Sequence, residues 1–148
     1  AVNLLESAEE IREKGIVFSA EALNELSRLT GAVQEILDLA ISSFVHNDYK
    51  SAALVHPLEE VVDELKEQLR SSHILRLQKG ECSIEAGFVW SDMLTNLERV
   101  ADHCSNIANC VVKVSDFKFS HDHSAGSKSD NAEFMSLYEA YAKKYAVL

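Results

Sequence analysis

The chain has 148 residues, 24 acidic and 14 basic, for a net charge of −10, and 47% of it is hydrophobic. Its five Gly and one Pro, against roughly ten and seven at average usage, mean few turns and long elements, which excludes a sandwich or barrel of many short strands. The negative balance excludes a nucleic-acid surface built on clustered Lys and Arg, and no apolar run approaches the ~18 residues of a membrane span.

In chain order, the first segment reads as the end of a helix. Leu4, Leu5, Ala8 and Ile11 fall at helical spacing, and Gly15 after Lys14 is a natural stop. Nothing before Ala1 resembles a helix start and there is no initiator Met, so the chain is expected to be a piece of a longer one. Ser19 then caps a second helix, with Glu21 in its first turn. Leu26, Leu29, Val33, Ile36 and Ala40 form its stripe, widened by Leu23, Leu37, Ile41 and Phe44. That predicts ~27 residues ending near His46 and Asn47. Gly31 lies inside and suits close approach by a neighbouring helix.

Asp48 caps a third helix whose seam, Val55, Leu58, Val62, Leu65 and Leu69, steps 3, 4, 3, 4. Pro57 lies within it, and a continuous, kinked helix is expected. A break spans Ser72 to Cys82 around Gly80. Ser83 caps the longest helix, from about Ile84 to Ser115. Its stripe is Trp90, Met93 or Leu94, Leu97, Val100, Cys104, Ile107, Val111 and Val114, over roughly 48 Å. From Phe119 to Asn131 the composition is that of a linker. Glu133 to Tyr145 is amphipathic through Phe134, Leu137, Tyr138, Tyr141 and Tyr145, a helix that needs a partner surface. The fold class is therefore all-α: an up-down three-helix bundle with a preceding helix stub and an extra C-terminal helix. The organisation is residues 1–15 for the stub, 16–118 for the bundle, 119–132 for the linker and 133–148 for the last helix.

Two carboxylate pairs at i,i+4 carry the chemistry: Glu59 with Asp63, and Glu98 with Asp102. One turn apart, each pair projects side by side, a mildly destabilising arrangement unless a cation offsets it. Paired carboxylates on adjacent helices are how bundles hold hard or borderline cations. Both pairs lie beside the core stripes, so a cation held there sits on the surface or in a groove. Taken alone, each pair also fits an ordinary solvated helix face. Thr95, Glu98, Asp102, Asn106 and Asn109 continue one polar line down the long helix. His103 follows Asp102, and His121 with His123 fall in the linker; these are read as exposed rather than ligating. Cys104 is read as core, and the three cysteines, lacking CxxC spacing, suggest a reducing compartment. No GxSxG, P-loop or GxGxxG occurs, nor the Glu-x-x-His of redox di-iron bundles, so no enzyme is expected.

The run Leu97-Glu98-Arg99-Val100-Ala101-Asp102-His103-Cys104-Ser105-Asn106-Ile107-Ala108 resembles the third-helix signature of PhoU domains, roughly ERxxDHxxNIA. Pro57 to Leu65 resembles the matching ExxxD segment of the second helix. What the resemblance implies is a regulatory, non-enzymatic domain in which ExxxD motifs hold a multinuclear cluster of iron, zinc or nickel. Carried over, Glu59, Asp63, Glu98 and Asp102 are the metal ligands. The run through His73, Arg76, Gly80, Cys82, Glu85 and Gly87 further resembles the cytoplasmic C-terminal PhoU region of bacterial sodium/phosphate cotransporters. That narrower likeness implies a domain modulating phosphate uptake on the cytoplasmic side of the membrane. Its partner is then the transmembrane part of the same transporter, N-terminal to Ala1, with a homodimer as a further option and no small-molecule substrate. Ala1 to Leu5 can be laid on Cys104 to Ala108, as the end of a preceding third helix. The alternatives are a stand-alone PhoU-type phosphate-signalling regulator and, less consistent with the motifs, a di-metal carboxylate bundle enzyme.

Overall fold

The computed structural model describes residues 2–119 and 129–147. Five helices account for them: α1 (Val2–Lys14), α2 (Ala20–His46), α3 (Tyr49–Gln78), α4 (Ile84–Phe119) and α5 (Ser129–Tyr145). Helices α2, α3 and α4 pack on one another as the expected antiparallel bundle; α1 lies on α4, and α5 lies on α3 and α2.

Local chemistry sets the boundaries. The Ser19 hydroxyl accepts a hydrogen bond from the Ala22 amide at 3.1 Å, and α2 ends on Asn47 in the left-handed region (φ 49°). One residue later the Asp48 carboxylate accepts from the Lys50 amide at 3.0 Å and from the Ser51 hydroxyl at 2.6 Å. Asn47 and Asp48 thus turn the chain between two long helices with almost no loop. Gly80 (φ 72°) closes α3, and the Ser83 hydroxyl accepts from the Ala86 amide at 3.1 Å to open α4.

Helix α3 runs unbroken through Pro57, as its seam predicts. The break expected from Ser72 onward is shorter in the structure. Helix α3 continues to Gln78 because His73 and Arg76 face the core and find partners there, so that only residues 79–83 turn. Helix α4 runs on to Phe119, past the expected end at Ser115, and α5 starts at Ser129 instead of Glu133. His121 and His123 lie outside the described residues.

The core follows the predicted seams of α2 and α3 closely. Leu29, Val33, Ile36 and Ala40 meet Val55, Leu58, Val62, Leu65 and Leu69, closed by Trp90, Leu94 and Cys104 from α4. The wide edge of the α2 stripe is different: Leu23, Ile41 and Phe44 are exposed. On α4, Ile107 and Val114 are also exposed, and Ala101, Ser105 and Ala108 take the buried positions. Small residues there let α4 lie close to its neighbours, and the apolar stripe drifts around the helix as 3.6 residues per turn requires.

Candidate carboxylate edge and the buried polar lock

Helices α3 and α4 run antiparallel, which brings the two ExxxD motifs to one face. The Lys66 ammonium lies 3.6 Å from Glu98 and 3.8 Å from Glu67, tying the middle of α3 to α4. Around it the acids accumulate. Asp63 carries a raised pKa, first from partial burial and then from the negative charge of Glu98 and Asp102. Glu59 is raised as well, first by partial burial, while His56 acts in the opposite direction and Asp63 adds to the rise. Asp63 and Asp102 are exposed, and Glu59 and Glu98 half-buried. The four predicted residues therefore form an edge at the surface of the bundle, beside the core and not within it.

Sequence reasoning passed over a nitrogen donor on that edge. The His56 Nδ1 lies 3.1 Å from a Glu59 oxygen, and donor atoms of His56, Glu59 and Glu60 all fall within 4.8 Å of one another. The spacing i, i+3, i+4 was available as a signal, since it places all three on one turn. The ring of Phe134 from α5 packs against the His56 ring with centroids 5.4 Å apart. One imidazole with several carboxylates suits a borderline divalent cation better than carboxylates alone. Asp63, Glu98 and Asp102 continue the edge along the same face.

His103 is exposed and lines a small polar pocket between α1 and α4 with Asn3, Asn96 and Arg99. The Asn3 side-chain amide donates to the Asn96 side-chain oxygen at 3.2 Å there. Asn106 donates weakly to Asp102 at 3.4 Å.

A second polar group is buried at the hairpin end of α3 and α4. Arg76 forms a two-pronged ion pair with Glu25 at 3.0 and 2.8 Å, both side chains almost fully enclosed. The guanidinium lies 5.6 Å from the centre of the Trp90 ring, and the His73 ring stacks on the same indole at 5.8 Å. Burial, and then the charge of Arg76, holds His73 below its ordinary pKa. Glu25 lies on the α2 stripe one turn before Leu29, where a carboxylate reads as an interruption. Its partner is 51 positions away, beyond the reach of any local pattern.

Helix α5 has the docking surface its composition requires. The Tyr145 hydroxyl donates to Glu35 and approaches the Gly31 carbonyl at 3.4 Å. Lys144 spans both Glu35 oxygens at 2.9 and 2.8 Å. Burial first, then hydrogen bonding to Glu35, pushes the Tyr145 phenol well above its ordinary range. The close approach anticipated at Gly31 is this one, since a Cβ there would touch the Tyr145 ring at 3.5 Å.

The PhoU domain model matches residues 26–111, which is more than half of the chain and includes both ExxxD motifs. The chain belongs to the PhoU domain family. A curated relative is the phosphate-specific transport system accessory protein PhoU homolog 1 of Thermotoga maritima, 29% identical over 112 residues. That alignment covers 76% of this chain and 47% of the relative, so the chain spans about half the length of the curated relative it matches. No solved structure matches. Helices α1 and α5 fall outside the residues matched by the family model. Among the described residues no helix is long and apolar enough to cross a membrane.

Proposed function

We propose that this domain is part of a stand-alone PhoU-type regulator of phosphate signalling, acting on phosphate uptake through contacts of its helix faces and catalysing no reaction. The observation that carries the reading is the match to the Thermotoga relative, whose name places that protein with a phosphate-specific transport system. It favours the free regulator over the tail of a sodium/phosphate cotransporter. The bundle supports a binding role: among the described residues, the acidic groups of α3 and α4 gather on an open edge at the surface.

Within that role, the edge is a cation site. His56, Glu59 and Glu60, whose donor atoms lie within 4.8 Å of one another on α3, would hold it, with Asp63, Glu98 and Asp102 as further ligands along the edge, and the cation would offset their mutual repulsion. Lys66 supplies a fixed positive charge on the same face, and Phe134 holds the His56 ring against α5. The test is genetic. Deleting the gene should remove the phosphate dependence of a phosphate-starvation reporter, and restoring the full-length gene should return it. A deletion strain whose reporter and phosphate uptake match the parent at both high and low phosphate would overturn the reading.

A further inference from the structure

The turn between α3 and α4 brings a thiol to an imidazole. Cys82 stands in the turn of residues 79–83. Its sulfur lies 4.0 Å from Nδ1 and 4.0 Å from Nε2 of His73 on α3. A thiol is a weak, long hydrogen-bonding group, and this equal approach keeps it in reach of whichever ring nitrogen carries no proton. Among the described residues, the thiol is the hydrogen-bond partner of both nitrogens.

The ring is fixed by what surrounds it. It stacks on Trp90 at 5.8 Å. It also lines the floor of an apolar hollow of about 390 Å³, around which Ile74, Ile84 and Phe88 stand exposed. A Cβ at position 87 would come within 2.9 Å of Nε2, so Gly87 is what admits the ring. His73 is only 5% exposed. Burial, and then the charge of Arg76, holds its pKa below the ordinary value, so the ring is neutral and able to accept a proton at neutral pH. The charged groups nearest it, Arg76 of α3 and Glu25 of α2, are paired with each other.

The three cysteines provide an internal comparison. All are free: Cys104 is buried, Cys110 exposed and Cys82 half-buried. Access alone ranks Cys110 first. Reactive cysteines, however, lie partly exposed beside basic groups, and among the described residues the imidazole contact belongs to Cys82.

We infer that Cys82 is an oxidation site for hydroperoxides, with His73 as its proton acceptor. The sulfur attacks one peroxide oxygen; an S–O bond forms and the O–O bond breaks. Sulfur is oxidised to a sulfenic acid, and the hydroperoxide is reduced to an alcohol, or to water where it is hydrogen peroxide. The thiol proton passes to the imidazole and from there to the leaving oxygen, so the ring ends neutral as it began. The new S–OH group stands beside the buried lock, within electrostatic reach of Arg76. The inference goes beyond the regulator reading and does not rest on it.

The test uses reduced, metal-free full-length protein treated with hydrogen peroxide in the presence of dimedone. Dimedone traps sulfenic acids as a stable adduct that mass spectrometry assigns to each cysteine. In the folded chain Cys82 should gain adduct about tenfold or more faster than Cys110. In urea, where ring and sulfur are apart, the two should label at equal rates. His73→Gln keeps a polar side chain and removes the base. It should bring Cys82 down towards the Cys110 rate and leave Cys110 unchanged, with circular dichroism checking its fold. Labelling of Cys110 as fast as Cys82 in the folded chain would overturn the inference. So would a Cys82 preference that persists in urea or in folded His73→Gln. The urea comparison needs no variant, so it decides the matter even where His73→Gln does not fold.

Discussion

Replacing Arg76 by Ala isolates what the buried lock contributes. The Glu25 and Arg76 side chains are 3% and 7% exposed and meet through two hydrogen bonds. Removing the guanidinium leaves the Glu25 carboxylate enclosed without a counter-charge, and strips the cation from the face of Trp90. Breaking such a pair from one side costs ~3–5 kcal/mol, against a total stability of about 5–15 kcal/mol. For a domain of this size that is a fall in Tm of roughly 6–20 °C. The pair as a whole is worth much less, because both ions were desolvated to form it. Glu25→Leu with Arg76→Met should therefore recover most of the loss. Urea unfolding of the wild type, Glu25→Leu, Arg76→Met and the variant carrying both gives the four corners of a double-mutant cycle. A loss under about 1 kcal/mol for Arg76→Ala, or a double variant no better than the sum of the singles, would refute the reasoning.

Three further outcomes follow from the edge and from α5. Glu59 and Asp63 have raised pKa values in the folded chain. Their contribution is fully present below the unfolded carboxylate values and is lost as pH rises through the folded ones. Glu59→Gln with Asp63→Asn should gain Tm over the wild type at neutral pH and not near pH ~3.5; an equal difference at both contradicts the cause given for the shifts. Adding Zn²⁺, Ni²⁺ or Fe²⁺ to chelator-treated full-length protein should raise Tm, by about 2.7 kcal/mol of stability at a hundredfold excess over Kd. His56→Ala should blunt that rise, and no retained metal after desalting would remove the cation site. Tyr145→Phe deletes the hydrogen bond to Glu35, worth about 1–2 kcal/mol, and should speed amide exchange in α5 while leaving α3 protected. Unchanged exchange in α5 would show that the phenol does not hold it.

Helix content and caps were legible because they are local. Ser19, Asp48 and Ser83 cap where spacing predicts, and the α3 seam from Val55 to Leu69 is buried at each of its five positions. What local patterns miss is set by distant partners. Arg76 extends α3 beyond the expected break by pairing with Glu25, and His73 does so by stacking on Trp90. Ile107 and Val114 look like core by periodicity, yet the buried face of α4 drifts to Ser105, Ala108 and Val111 and leaves them to water. The carboxylate edge was legible from two i,i+4 pairs because helix geometry places each pair on one turn. Their meeting on one face follows from the antiparallel run of α3 and α4. The spacing of His56 to Glu59 and Glu60 already put the three on one turn, and the structure adds the Phe134 ring of α5 packed against the imidazole. The apolar hollow was invisible in sequence, since Ile74, Ile84 and Phe88 come together only at the hairpin.

The most direct test of the account is phosphate uptake in a strain whose own gene is replaced by the full-length protein with Glu59, Asp63, Glu98 and Asp102 changed to their amides. The account predicts that uptake loses its dependence on external phosphate, as in the deletion strain, while a control change at exposed Glu9 on α1 leaves regulation as in the wild type. Normal regulation by the edge variant, at wild-type protein levels, would contradict the claim that this edge is where the domain acts.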